Sequence, residues 1–273
     1  MTESGKKLRL NRICNPRRKA LVVAFDHALI LGPIAGTVDP AAQIRLFAEA
    51  DIDAILMNFG NVSRTADSML VDRPPALIVR LDWTSLWTAS QSDGKLVSRM
   101  LGSVEQALRL GADAVLTYLF VGTGNAQFES DEIARNASVA RECELLGVPM
   151  IVESLARGRL VKDPRATEWM NLHTRIAAEI GADVIKTEYT GDPVSMAEVV
   201  KTCPIPILVL GGARQGSDAE ALEIVQGATT AGAAGVFFGR NVFQSDRATE
   251  FLQCARRILN GKALDQVMAG VGS

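Results

Sequence analysis

The chain has 273 residues, of which 48% are hydrophobic, and its 29 basic and 31 acidic side chains nearly cancel to a formal net charge of −2. This length and composition predict one large domain or two small ones, with ample apolar material for a core. The balanced charge argues against a nucleic-acid partner, which selects strongly basic faces. No apolar run reaches membrane-spanning length, so we expect no membrane partner either.

The cysteines and histidines point away from disulfides and zinc. The four cysteines lie far apart without a Cys-x-x-Cys pair, and the sequence begins without a signal peptide. We therefore expect reduced thiols and a cytoplasmic protein. The two histidines are also far apart, which excludes a histidine-rich zinc motif, and we expect no metal site.

Eight short apolar runs recur along the chain, and most have the continuous hydrophobic character of parallel strands covered on both faces. In chain order they span residues 20–25, 52–58, 76–81, 112–119, 148–153, 182–187, 205–210 and 235–238. Helix-like segments lie between them, with capping boxes predicted at Ser103, Ser195 and Ser217. Eight strands alternating with helices in about 250 residues is typical of an α/β TIM barrel, (β/α)8.

We predict a single barrel domain over residues 20–273. The basic segment 1–19 precedes it, and we expect that segment to pack on the barrel or on a neighbouring subunit. The alternative fold is an open doubly wound sheet, which would normally carry a glycine-rich fingerprint after its first strand. Asp26-His27-Ala28 occupies that position instead, so the barrel is favoured.

Lys186 is the most informative polar residue, because it stands at the end of an apolar run. An amine in that setting loses part of its hydration, which favours its neutral and nucleophilic form. The alternative interpretation is a lysine that extends from a strand end into water. Gly211-Gly212 and Gly239-Arg240 follow the last two runs, where backbone N–H groups and a guanidinium could hold a phosphate. Together these features suggest Schiff-base chemistry on a phosphorylated carbonyl compound.

Schiff-base cleavage also needs a general acid, a base for the substrate hydroxyl and a clamp for the anionic tail. Asp26, directly after the first run, is the best carboxylate candidate, and Glu153 is a further catalytic candidate as acid or proton relay. A simple salt bridge to Lys186 or Arg157 is an equally good interpretation of Glu153 and Glu188. Tyr118 is interpreted as lining the barrel. The predicted substrate-binding residues are His27, Asn58, Asp82, Arg157 and Glu188.

These residues stand in segments that resemble the archaeal-type class I aldolases, a group of Schiff-base barrels also called the DhnA-like family. The resemblance runs over almost the whole chain. It is carried by residues 5–13, by Asp26-His27 through Gly32-Pro33-Ile34, by residues 185–192, by Gly211-Gly212 and by residues 239–244. The first two segments look especially like the heptulosonate synthases of this family, and class I fructose-bisphosphate aldolases are also similar.

The resemblance implies a role for each part of the site. Lys186 would form the imine, so that no metal and no other cofactor is needed, and Asp26 would be the acid or base near the substrate hydroxyls. Gly211, Gly212, Gly239 and Arg240 would hold the phosphate of a small-molecule substrate. Family members commonly form large rings, which implies a homo-oligomer, with a decamer as one form.

The sequence departs from the family at two positions. A Tyr-Pro-Arg-Gly segment usually follows the fifth strand, whereas this chain has Leu155-Ala156-Arg157-Gly158. A leucine cannot move a proton, so the tyrosine's role falls to another group, such as Glu153, or the reaction does not need it. The usual Asp-His-Gly is Asp26-His27-Ala28 here, which narrows the space near the first strand.

Three functions are compatible with this pattern. The first is a class I aldolase that cleaves or forms a carbon–carbon bond in a phosphorylated ketose or related sugar phosphate. The second is a thiolase-like acyltransferase that uses coenzyme A and a phosphorylated diketone, because a branch of the family with that chemistry also lacks the tyrosine. The third is a non-catalytic sugar-phosphate-binding barrel. Coenzyme A dependence separates the first two, and imine trapping separates both from the third.

Overall fold

A computed structural model describes residues 2–85 and 96–269, with side chains from residue 4 onward. Eight parallel strands close into a barrel in the order β1-β2-β3-β6-β7-β8-β9-β10, which confirms the predicted TIM barrel. The barrel strands are β1 (Ala20–Ala24), β2 (Ala54–Asn58), β3 (Ala76–Arg80), β6 (Ala114–Val121), β7 (Met150–Ala156), β8 (Val184–Thr187), β9 (Ile207–Leu210) and β10 (Gly235–Phe238). A small antiparallel hairpin, β4 (Asp82–Thr84) and β5 (Ser98–Met100), follows β3.

Helices precede, connect and follow the barrel strands. They are α1 (Thr2–Ile13), α2 (Ala28–Leu31), α3 (Pro40–Glu49), α4 (Phe59–Thr65), α5 (Val104–Arg109), α6 (Ala126–Leu146), α7 (Thr167–Glu179), α8 (Pro193–Thr202), α9 (Asp218–Thr230), α10 (Arg240–Phe243), α11 (Ala248–Leu259) and α12 (Leu264–Ala269), with a 3₁₀ turn at Ala66–Met69. None of the helices within residues 2–85 and 96–269 combines the length and apolar character needed to cross a bilayer.

The predicted capping boxes form in full, in half and not at all. Ser103 forms a full capping box with Gln106, whereas Ser217 accepts from the Glu220 backbone N–H but the Glu220 carboxylate accepts from the Gly216 N–H instead. The prediction of an N-cap at Ser195 is wrong, because α8 begins earlier. Asp192 caps that helix, accepting from the backbone of Val194 and Ser195, and proline follows it at the first helical position.

The hydrophobic core has two layers, one between strands and helices and one inside the barrel. The inner layer includes Leu56, Ile151 and Phe237, and Ile13 of α1 packs against it with only 1% of its surface exposed. The N-terminal helix therefore covers the amino end of the barrel and leaves the carboxyl end open. Residues 1 and 270–273 of the predicted domain boundaries lie outside the described residues.

The basic residues of the N-terminal segment are largely paired within the chain. Lys6 lies 2.9 Å from Glu144 and 3.0 Å from Asp183, and Arg12 lies 2.5 Å from Asp113. Asp113 and Asp183 come just before β6 and β8, so these pairs tie the helix to the amino ends of two strands. These basic side chains are thus paired with acidic side chains of the barrel domain.

Candidate active site

A cavity of about 290 Å³ opens at the carboxyl ends of the barrel strands. Parallel strands bring their carboxyl ends to one rim, which explains why residues far apart in the sequence meet there. The lining residues are Ala24, Asp26, His27, Ile30, Leu31, Arg80, Tyr118, Glu153, Leu155, Arg157, Lys186, Glu188, Leu210, Gly211, Gly212, Ala213, Phe237, Gly239 and Arg240.

Lys186 lines this cavity and directs its amine toward a carboxylate. Its Nζ is 3.0 Å from Glu153 Oε2 and 4.6 Å from the centre of the Phe237 ring. Glu153 and Lys186 are register partners in the β7–β8 pair, so both side chains point to the same side of the sheet. Only 5% of the Lys186 surface is exposed. The strand pairing therefore places a carboxylate next to a buried amine.

Arg80, at the end of β3, links the two proposed catalytic carboxylates. Its guanidinium donates from Nε to Asp26 Oδ2 and from an Nη atom to Glu153 Oε2. A second Nη lies 3.4 Å from Asp82 Oδ1, and the whole residue is 1% exposed. A buried guanidinium is stable only when its N–H groups are paired, and these three carboxylates supply the partners.

The charges in the cavity shift the pKa values of both carboxyl groups downward. Burial alone would raise the pKa of Asp26, but Arg80, His27 and Lys186 outweigh it and hold that pKa well below its ordinary value. Burial likewise opposes the lowered pKa of Glu153, which Lys186 and Arg80 bring about. Both groups are therefore ionised at neutral pH and able to accept protons.

His27 lies on the β1 side of the cavity and is neutral at pH 7. Burial lowers its pKa to about 4, although Asp26 acts in the opposite direction. Its Nδ1 is 3.4 Å from Asp26 Oδ1, and its ring packs edge-on against Phe243, with 5.2 Å between centroids. A Cβ added at Gly239 would stand 2.3 Å from His27 Cε1, so the glycine leaves the space that the imidazole fills.

The loops after β9 and β10 form the anion-accepting side of the cavity. The Nε of Arg240 is buried without a hydrogen-bond partner, and burial lowers the pKa of this guanidinium. Asn241 connects the two loops, because its Nδ2 donates to the Gly211 carbonyl at 2.8 Å and its Oδ1 accepts from the Gln215 N–H at 2.8 Å. Gly212 has a φ of +69°, a backbone conformation that favours glycine.

A second ion pair stands at the rim. Arg157 Nη donates to Glu188 Oε2 at 2.7 Å, and both side chains are about one-fifth exposed. Both glutamates thus form a salt bridge that the sequence interpretation weighed, Glu188 with Arg157 and Glu153 with Lys186, and Glu153 also pairs with Arg80.

Two of the predicted substrate-binding residues do not line the cavity. Asn58 is buried and donates from Nδ2 to the Asp26 backbone carbonyl at 2.9 Å, so it supports the loop that carries Asp26. Asp82 is fully buried and accepts from the Tyr118 backbone N–H at 2.8 Å and from Arg135. Asn58 thus contacts the loop after β1, and Asp82 contacts β6 and α6. Their contacts are structural.

Sequence reasoning missed Arg80 and set Tyr118 aside. Arg80 is the last residue of an apolar strand, a position similar to that of Lys186 in β8. A charged residue at the end of an apolar run was the sequence feature that could have identified it. Within the described part of the chain, no group of three or more His, Cys, Asp or Glu side chains is placed to hold a metal ion.

Comparison with known proteins agrees with this geometry. The model of the DeoC/LacD family of aldolases matches residues 20–245. A 2-amino-3,7-dideoxy-D-threo-hept-6-ulosonate synthase from Halobacterium salinarum is 38% identical over 244 residues, covering 89% of this chain and 87% of the relative. The class 1 fructose-bisphosphate aldolase of Thermoproteus tenax is 33% identical over 261 residues, covering 93% and 94%.

A solved structure shows the same barrel with a reaction intermediate. It is an archaeal fructose-1,6-bisphosphate aldolase whose catalytic lysine is covalently bound to the carbinolamine intermediate of its substrate. The two structures superpose with a TM-score of 0.83 at 30% sequence identity, covering 94% of this chain and all of that one.

Proposed function

We propose that Lys186 is the amine that forms an imine with a phosphorylated ketose or related sugar phosphate, because this chain belongs to the DeoC/LacD aldolase family. The protein is a class I aldolase, a carbon–carbon lyase that works through a covalent lysine imine. The observation that carries the assignment to Lys186 is its Nζ, buried in the cavity 3.0 Å from Glu153 Oε2.

The first step in this proposal is attack of the amine on the substrate carbonyl. Lys186 must lose a proton to become nucleophilic, and the neighbouring carboxylate of Glu153 is ionised and within reach to accept it. The same group can return the proton when the carbinolamine loses water. The iminium that forms then draws electrons from the adjacent carbon–carbon bond and takes the place of a metal as electron sink.

The second step is cleavage of that bond. A base must remove the proton of the substrate hydroxyl, and we assign this role to Asp26. Arg80 holds its carboxylate ionised, and Asp26 lines the cavity on the β1 side. His27, Arg157 and Glu188 also line the cavity and are proposed to contact the substrate.

The phosphate is proposed to bind between the loops after β9 and β10. Arg240 has a buried Nε without a partner on the cavity side of the molecule, which suits a ligand with acceptor oxygens. Backbone N–H groups near Gly211, Gly212 and Gly239 complete the anion site. The substrate is therefore a phosphorylated small molecule whose carbonyl reaches Lys186 while its phosphate stays at the far rim.

We also propose a cytoplasmic homo-oligomer, of which a decamer is the ring form that the family resemblance implies. Light scattering after size-exclusion chromatography measures the mass and tests this assignment.

The test of the function is imine trapping. Incubation with dihydroxyacetone phosphate and borohydride should leave a stable adduct on the peptide that contains Lys186. Lys186→Met should abolish the adduct and lower turnover by several orders of magnitude, as expected when a covalent nucleophile is lost. Lys201→Met, at an exposed position of α8, is the matched control. An adduct on another lysine would reject the assignment, and coenzyme A-dependent product from a phosphorylated diketone would assign acyl transfer instead.

A further inference from the structure

Each carboxylate that lines the cavity is held in an ion pair. Asp26 is paired with Arg80, Glu153 with both Arg80 and Lys186, and Glu188 with Arg157. Paired with cations, Asp26 and Glu153 are proton acceptors in the resting site, and any proton that they carry later is one taken from the substrate hydroxyl or from Lys186. The chemistry of an enamine nevertheless includes a proton donor, because its nucleophilic carbon must be protonated before the product is released.

Tyr118 is the one hydroxyl-bearing side chain among the described residues that line the cavity. A phenol ordinarily keeps its proton at neutral pH and can both donate and accept. Tyr118 is the register partner of Glu153 in the β6–β7 pair, so its side chain points into the barrel beside that carboxylate. The phenol is thus two strands from Lys186, whereas His27 is three strands away in the other direction around the barrel.

The ring of Tyr118 contacts both a cation and another aromatic ring. Its centroid is 3.9 Å from Arg80 Cζ, and it stacks on Phe120 with 5.2 Å between centroids and 22° between planes. It also packs in one small cluster with Leu155, and only 3% of its surface is exposed. The ring is therefore fixed beside the guanidinium that also binds Asp26 and Glu153.

We propose that Tyr118 is a catalytic residue that exchanges a proton with the enamine carbon. In the cleavage direction the Tyr118 O–H bond breaks, the carbon–carbon π electrons of the enamine form the new C–H bond, and the nitrogen lone pair of Lys186 forms the C=N bond of the iminium. The resulting phenolate regains a proton from solvent. In the synthetic direction the phenolate removes the proton from the same carbon. This inference rests on the proposed function of Lys186.

The experiment compares Tyr118→Phe with the wild-type protein in two measurements. Borohydride trapping with dihydroxyacetone phosphate reports imine formation, and deuterium incorporation into the same compound from D₂O reports proton exchange at carbon. The variant should be trapped at Lys186 as well as the wild type, while its exchange rate falls by about 10²–10⁴-fold. Phenylalanine keeps the ring and its stacking, so the unfolding midpoint should stay close to that of the wild type.

The second of the two tyrosines supplies a matched control. Tyr189 directs its hydroxyl toward Gly227 of α9 and does not line the lysine cavity, so Tyr189→Phe should keep both trapping and exchange. Equal exchange rates in Tyr118→Phe and wild type, with trapping intact in both, would overturn the role of Tyr118 alone and favour His27. Failure to trap the wild-type protein would instead reject the proposed function and this inference with it.

Discussion

Glu153 and Lys186 face each other across two adjacent barrel strands, with 3.0 Å between the carboxylate Oε2 and the amine Nζ. The two residues are partners in the β7–β8 register, so the hydrogen-bonded backbones keep them side by side. Both side chains are almost entirely buried, which leaves neither of them room to turn into bulk water. The barrel thus presets the contact through which, in the proposed mechanism, the amine loses and regains its proton.

Asp26→Asn and Glu153→Gln should block different steps. If Asp26 removes the hydroxyl proton, Asp26→Asn still forms the imine but cleaves the carbon–carbon bond about 10²–10⁴-fold more slowly. Glu153→Gln should slow imine formation itself, because the acceptor beside Lys186 is lost. Borohydride trapping at short times measures the first step, and product release measures the second. Loss of trapping in Asp26→Asn would contradict this order of events.

Arg80→Lys should reduce activity although the charge is kept. A lysine amine is a point charge that cannot reproduce the planar contacts to Asp26, Asp82 and Glu153. The pKa values of Asp26 and Glu153 should then rise toward their ordinary range, so that the acid limb of the kcat/KM profile moves to higher pH. Arg135→Lys is the matched control, since Arg135 also binds Asp82 but does not line the cavity. An unmoved acid limb would assign Arg80 a purely structural role.

Arg240→Ala should raise KM for a phosphorylated substrate far more than it lowers kcat. The guanidinium would meet a phosphate that is present in both the ground state and the transition state, so its loss removes uniform binding. A dephosphorylated analogue should be nearly indifferent to the change. Arg247→Ala removes an exposed arginine that is paired with Glu250 and serves as the control. Equal effects on both substrates would mean that Arg240 does not contact the phosphate.

Gly239→Ala and Gly212→Ala should have different consequences. At Gly239 a Cβ would meet His27 Cε1 at 2.3 Å and the Ala24 carbonyl oxygen at 2.9 Å, and such overpacking costs about 1–3 kcal/mol. At Gly212 a Cβ meets nothing within 4 Å, and the cost is that of a left-handed backbone, about 1–2 kcal/mol. Urea unfolding measures both costs, and Gly239→Ala should in addition displace His27 and weaken substrate binding. Unchanged binding in Gly239→Ala would show that His27 has space to shift.

His173 should make the fold less stable as the pH falls. Burial, and to a lesser extent Arg157, lowers the pKa of His173 to about 3, and its Nδ1 lies 2.9 Å from Ser154 Oγ. In the unfolded chain this pKa is about 6.5, so between those values the unfolded state binds the extra proton. Stability should therefore fall with pH below about 6.5, by up to about 1.4 kcal/mol per pH unit from this residue. His173→Gln lacks this titration, so its free energy of unfolding, measured with urea, should fall less between pH 7 and pH 5 than that of the wild type. Equal losses of unfolding free energy in the two proteins would contradict the prediction.

The secondary structure was predictable from the sequence because it depends mainly on residues that are close together in the chain. Continuous apolar runs indicated the barrel strands, and Ser103 and Ser217 indicated two helix starts. The sequence also singled out Lys186, since burying a charged side chain within an apolar run costs desolvation free energy that a partner must offset. The capping error at Ser195 arose because Asp192 and Pro193 form an equally good local start three residues earlier.

The contacts within the site depend on strand order and register, which no local pattern contains. Sequence alone determined the barrel and the lysine at a strand end, because burial periodicity and charge placement are properties of short segments. The tertiary structure decided that Arg80 bridges Asp26 and Glu153, that Tyr118 lies against Arg80, and that Asn58 and Asp82 stay outside the cavity. The physical reason is that a buried charge is stable only with partners in space, and those partners come from strands that are distant in the chain.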